Sequence, residues 1–247
     1  MIMNWIRIVT FILLAGSSPL QAQDADSWNW KIAPYLWGIN MSGDVSIGPI
    51  KQDVDVSFSD ILSNMELAGQ VYAEFGKSDH SVHFDYTYLR LRPEPSTLPS
   101  PPFLPGAELS TKLTVNIFET AYNYYWKGPG GPALVLGARM TDMKTRMNPG
   151  RLETRVSGPD WWDYFVGIKT HNPISRNWDF DFYGTVGTGG SDLPWTLAAT
   201  FGRRFASNNR LLLGFRLWGV DYSQNNSTAP VALDLKYYGA VIGYEFN

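Results

Sequence analysis

Three histidines, His80, His83 and His171, are the groups in this cysteine-free chain best suited to carry a proton near neutral pH. Ser78 and Ser81 bracket His80 and lie close to His83, so a serine nucleophile with a histidine base is the first chemistry to weigh. His80 and His171 fall in turn-like stretches, where serine is common for its own reasons, and no G-x-S-x-G elbow surrounds either serine. Catalysis is therefore not expected. Asp53, Asp55 and Asp60 suit calcium by type. Their spacing makes no calcium loop, and Ser59 or Asp60 is better placed to cap a short helix running through Asn64. Phosphate loops, dinucleotide fingerprints and zinc spacings are absent, so no cofactor or metal is expected.

A larger set of charges is regularly placed. Lys31, Glu74, Asp85, Glu119, Arg139, Asp163, Lys169, Asp179, Asp181, Arg216 and Glu245 each sit in a stretch that alternates apolar and polar residues. Residues spaced by two share one face of a strand. Reflecting the chain about its short turns sets Lys169 across from Asp179, Glu119 beside Arg139, and Glu74 opposite Asp85. The last pair is like-charged and needs a cation, which Lys31 would supply, with Glu245 close by. Such a set either neutralises itself or forms an ion-selective constriction, and the self-neutralised filling is expected. Arg90 and Arg92 alternate instead with the apolar face of Phe84, Tyr86 and Tyr88, where a guanidinium could meet lipid phosphates.

The elements that must position these groups are strands. Period-two alternation recurs in ten runs, about 28–42, 67–77, 82–92, 110–126, 133–143, 161–170, 178–187, 194–205, 210–222 and 234–246. The run 110–126 changes phase near Ile117–Phe118, which predicts a β-bulge. Even-numbered connections are short and turn-like; most odd-numbered ones, 43–66, 93–109, 144–160 and 223–233, are longer. That rhythm fits an all-β, antiparallel up-and-down transmembrane β-barrel of ten strands, with short turns in the periplasm and long loops outside. The connection 93–109 is proline-rich and reads as an extended external loop. Aromatics make up 15% of the chain and gather at strand ends. Trp28, Trp30, Trp37, Trp126, Trp162, Trp178, Trp195, Tyr244 and Phe246 are accordingly expected at the lipid interface. Residues 1–22, with Arg7 and the apolar run Ile8–Ala15, read as a secretory signal peptide; 23–247 read as one barrel domain. Removing Arg7 takes the net charge from −3 to −4, which leaves no basic footprint for nucleic acid.

The segment Trp30 to Gly38, WKIAPYLWG, followed by Asp53 to Leu62, DVDVSFSDIL, resembles a family of uncharacterised proteobacterial outer-membrane β-barrel proteins. The close likeness covers about the first forty residues after the leader; the rest matches in barrel pattern only. It implies fold and location, and no reaction or ligand. Ten-stranded outer-membrane proteases of the omptin family carry an acid/histidine site at the outer rim, and no histidine maps there.

The expectation is a monomeric, non-catalytic barrel in the outer membrane, exported by its signal peptide. Its partners would be outer-membrane lipids, lipopolysaccharide and the barrel-insertion machinery. It would serve as a narrow passive channel, a small-molecule or lipid binder, or an envelope component. The alternatives are a membrane-embedded hydrolase and a soluble periplasmic lipocalin-like barrel, in which the apolar face would point inward.

Overall fold

The computed structural model describes residues 27–47, 50–92, 110–128, 130–148, 155–224 and 231–247. Residues 1–26, over which the signal peptide was expected, and the proline-rich 93–109 connection lie outside the described residues. The elements are β1 Trp28–Trp37, β2 Asn40–Ile47, β3 Ile50–Val56, α1 Phe58–Ser63, β4 Met65–Lys77, β5 His80–Leu91, β6 Ser110–Tyr125, β7 Ala133–Asn148, β8 Arg155–Ser157, β9 Asp160–Pro173, β10 Trp178–Gly189, β11 Ser191–Arg204, β12 Arg210–Gln224 and β13 Val231–Glu245. No helix among the described residues is long and apolar enough to cross a membrane, a statement that does not bear on strands.

Antiparallel neighbours run β1, β4, β5, β6, β7, β9, β10, β11, β12, β13, and β13 closes the circle by pairing with β1 and β2. Since β1 and β2 are one stave interrupted at Gly38–Ile39, the wall is a closed barrel of ten staves. Tight turns at Ser78–Asp79 and about Asn208 join consecutive strands at the end that also holds the start of β1 and the close of β13. Ser78 and Asn208 adopt φ of 54° and 64°, the left-handed region that polar turn residues tolerate.

Alternation decides which way each side chain faces. On β9, Trp162, Tyr164, Val166 and Ile168 are exposed, while Asp163 between them is fully buried. The outward face is apolar on every stave, in a belt from Trp30 and Leu36 on β1 to Tyr122 and Phe118 on β6, and Leu213 and Phe215 on β12. A soluble barrel would show the reverse pattern.

The interior changes character along its length. Toward the end away from the tight turns it is packed with Trp37, Ile39, Ile117, Trp161, Trp218, Val220, Tyr222, Leu233 and Leu235. Trp161 stacks on Tyr222 at 4.4 Å, and these residues stand three staves apart, so the contact crosses the lumen. This apolar layer explains the phase change in β6. The predicted bulge is absent: β6 pairs in unbroken register with both neighbours. Leu113, Val115 and Ile117 continue on the same inward face as Glu119, Ala121 and Asn123, and only the lining changes from apolar to polar.

The 43–66 stretch, expected as a loop, is largely structured. β2 and β3 form a hairpin that prolongs the wall, and α1 follows. Pairing between β1 and β4 stops at Pro34 opposite Val71. The backbone N–H of Trp37 is satisfied instead by Gln70 Oε1 at 2.6 Å. α1 fills the resulting gap, with Ile61 buried in the apolar layer and the Phe58 ring over Gly38. The helix cap is Ser57, not Ser59 or Asp60. Ser57 accepts from Asp60 N–H while the Asp60 carboxylate accepts from Ser57 N–H, a reciprocal capping box.

Candidate functional site

Below the apolar layer the barrel encloses a polar cavity of about 490 Å³, lined among others by Lys31, Tyr72, Glu74, His83, Lys169 and Arg210. Turn residues Ser78, Gly130 and Asn208 border it, so it opens at the end carrying the short turns. Its walls carry four charge clusters, three centred on a carboxylate and one on Arg210.

Glu74, buried on β4, accepts from Lys31 Nζ at 2.9 Å and from Lys169 Nζ at 2.7 Å. It also accepts from the hydroxyls of Tyr72 at 2.6 Å, Tyr125 at 2.6 Å and Ser81 at 2.5 Å. Lys169 lies on β9, four staves from Glu74 on β4, and so reaches across the lumen. Glu119 takes Arg139 Nε at 2.9 Å and Nη2 at 2.6 Å, together with Tyr183 OH at 2.6 Å. Asp85 accepts Tyr35 OH at 2.7 Å and Arg216 Nη1 at 2.9 Å, both from other staves. At the mouth, Arg210 bonds Asp179, Asp181 and Glu245 together. Asp163 sits apart, accepting from Trp161 Nε1, Ser191 N–H and Ser191 Oγ at 2.8–2.9 Å. Buried carboxylates are tolerated because each is matched by cations or several donors.

All eleven charges named from alternation thus face inward, but two of the three register pairings are corrected. Glu119 does lie opposite Arg139. Lys169 lies opposite Tyr183, not Asp179, because the β9–β10 turn folds two residues later than counted; Asp179 faces Pro173. Glu74 lies opposite His83, not Asp85, because the β4–β5 turn folds one residue earlier than counted. The two acids are therefore kept apart, and each has its own cation. Alternation also missed Arg210, although it stands six residues from Arg216 on the same strand and so shares its face. The tyrosines at 35, 72, 125 and 183 were missed because an aromatic in a barrel strand reads as lipid-facing.

The same bias misplaced Trp37. It is 5% exposed, points inward, and lies under the Arg216 guanidinium at 5.0 Å from ring centre to carbon. Its parity with Lys31 and Tyr35 dictates that side. Trp28, Trp30, Trp126, Trp162 and Trp178 are exposed on the outer wall. Trp195 is half-buried over Gly219 on the same outer face, and Tyr244 and Phe246 are half-buried against each other at 4.9 Å. Arg90 and Arg92 also face outward, Arg90 over the Tyr88 ring and Arg92 3.5 Å from Glu66.

The serine–histidine pairing does not form. Ser81 gives its hydroxyl to Glu74, and the fully buried His83 ring contacts Asn123 at 3.2 Å and Glu119 at 3.4 Å. His171 contacts Asp181 at 2.6 Å. Asp53 lies opposite Asp44, and Asp60 belongs to the helix cap, so the three carboxylates weighed and set aside for calcium do not converge. Among the described residues His171, Asp179 and Asp181 do approach closely enough to share an ion, but Arg210 already stands between the two aspartates.

No family model and no curated protein matches the chain. Solved structures do. The outer membrane protease OmpT from Escherichia coli aligns with a TM-score of 0.50 at 8% identity, over 88% of this chain and 96% of that one. Ail, the attachment invasion locus protein of Yersinia pestis, aligns at a TM-score of 0.39 and 10% identity, over 88% and 99%. Neisserial surface protein A gives 0.34 and 12%, over 89% and 98%. At such identities the likeness to OmpT is one of fold: a closed antiparallel barrel of ten strands.

Proposed function

We propose that the protein is an integral outer-membrane barrel that neither conducts nor catalyses, and that its dead-ended polar pocket, open toward the periplasm, holds a small polar solute. One observation carries this reading: a 490 Å³ charged cavity lies beneath a layer of packed tryptophan, tyrosine and aliphatic side chains that contact one another across the lumen. A pocket of that volume suits a small ligand. The apolar outer belt supports insertion in a membrane, since a soluble monomer rarely exposes so large an apolar surface. Periplasmic opening follows from placing the short turns inside. Absence of catalysis is supported by the engagement of Ser81 with Glu74 and of His83 with Asn123 and Glu119.

Planar-bilayer recording of the refolded protein tests the closed lumen. No conductance steps are expected over a wide voltage range, and regular steps would refute the reading. Recovery in the outer-membrane fraction with heat-modifiable gel migration tests the location; a soluble periplasmic product would refute it.

A further inference from the structure

Where the strands leave the apolar belt at the outer rim, the outward surface carries opposite charge on opposite flanks. On β5–β7, beyond Tyr86, Phe118 and Met140, Arg90 lies across from Thr114 and Thr114 across from Lys144, while Lys112 lies across from Arg146. Arg92 follows two residues after Arg90. The counter-charges among the described residues of this patch are Glu66, 2.9 Å from Lys112, Asp142, 2.8 Å from Lys144, and Asp160, which lies across from Asp142 and acts on Lys144. Five cations thus surround three carboxylates. On the far flank Asp192, Asp221, Asp234, Asp44 and Asp53 lie directly across from one another on β11, β12, β13, β2 and β3, with Lys51 3.1 Å from Asp44 as a counter-charge. Partial burial, and then Asp234 and Asp192, push the Asp221 carboxyl up from its ordinary range.

Arg90 is the member of this patch held most firmly. Its Nε is enclosed by protein, its guanidinium lies over the Tyr88 ring, and the side chain as a whole is half-buried, so its Nη groups are the ones left to pair with an anion at the rim. A lipid phosphate brings several anionic oxygens to that depth, and a guanidinium pairs with it in a forked geometry. We infer that the β5–β7 flank seats a phosphate of an outer-leaflet glycolipid through Arg90, Lys112 and Lys144, and that the aspartate flank leaves such lipids unbound. The inference rests on the outer-membrane reading above. It gives the barrel a fixed rotational preference for its lipid neighbours.

The test titrates detergent-folded protein with purified lipopolysaccharide, with the same material stripped of phosphate, and with inorganic phosphate, and reads bound lipid by native mass spectrometry. The phosphorylated lipid is expected to bind about tenfold or more tightly than the stripped form, and the preference to fall with salt. Arg90→Gln with Lys144→Gln should weaken it by about tenfold. Asp221→Asn with Asp234→Asn should leave it unchanged, and heat-modifiable migration of each variant confirms folding. Equal binding of the stripped lipid, or unaltered binding by the Arg90/Lys144 variant, overturns the assignment. Competition by millimolar inorganic phosphate would mark a free-oxyanion site and overturn it as well. Failure of the location reading would appear in membrane fractionation, which this binding measurement does not use.

Discussion

Glu119 shows how individual residues hold the interior together. Its side chain is buried with that of Arg139, which also donates to Thr196 Oγ1 at 2.8 Å and lies 5.3 Å from the centre of the Phe165 ring. Removing one member of such a pair strands the other charge. Arg139→Ala should therefore lower unfolding stability by about 3–5 kcal/mol, measured by urea titration in lipid vesicles. The joint variant Glu119→Gln/Arg139→Met should recover most of that loss, because neither a charge nor its partner is then left alone. Arg210 is a sharper case, joining Asp179, Asp181 and Glu245 at the mouth. A lysine offers no planar fork, so Arg210→Lys should retain the charge yet still destabilise relative to wild type in the same titration. Gly137 belongs to the same core. A Cβ there would fall 2.5 Å from the Phe165 ring, so the ring under Arg139 exists only because position 137 lacks a side chain.

Among the elements, α1 is the one whose stability is most local. It has six residues, too few to persist without its cap and its docked Ile61. Ser57→Ala should weaken its docking by about 1 kcal/mol, visible as faster hydrogen exchange at Asn64, whose N–H bonds Asp60 O. Hydrogen bonds from Ser57 hold the Asp60 carboxyl below the ordinary aspartate range. A depressed folded pKa gives stability that is complete above the unfolded value and is lost as pH falls through the folded one. Helix docking should therefore be constant at neutral pH and loosen only below the ordinary aspartate range. In Asp60→Asn that acid dependence should disappear, as followed by fluorescence of the neighbouring Trp37. Persistence of the acid transition in Asp60→Asn would assign it to another carboxyl.

The whole molecule is a plugged barrel rather than a tube. Ten strands give a lumen narrow enough for side chains to meet across it, and here they do, through Lys169–Glu74, Arg216–Asp85 and Trp161–Tyr222. The half away from the tight turns has become an apolar core, and the half beside them a neutralised polar one that still leaves a cavity. Trp161→Ala with Trp218→Ala removes the two indoles of the apolar layer. That variant should show ion conductance in planar bilayers where wild type shows none, and silence from both would place the seal elsewhere in the lumen.

The barrel itself was legible in the residues. A period of two, short turns alternating with longer connections, and aromatics at strand ends suffice for ten antiparallel strands, because the pleat allows only two directions for a side chain. The same parity placed eleven charges inside. What it could not give was the height of each group, since one residue in a turn slides a whole strand, as Lys169 and Glu74 show. Parity also put Trp37 and Tyr35 on the face of Lys31, opposite to Trp28 and Trp30, against the lipid-facing preference of aromatics in a barrel strand. Only closure of the sheet supplies what they meet there, bringing Arg216 and Asp85 to them from other staves.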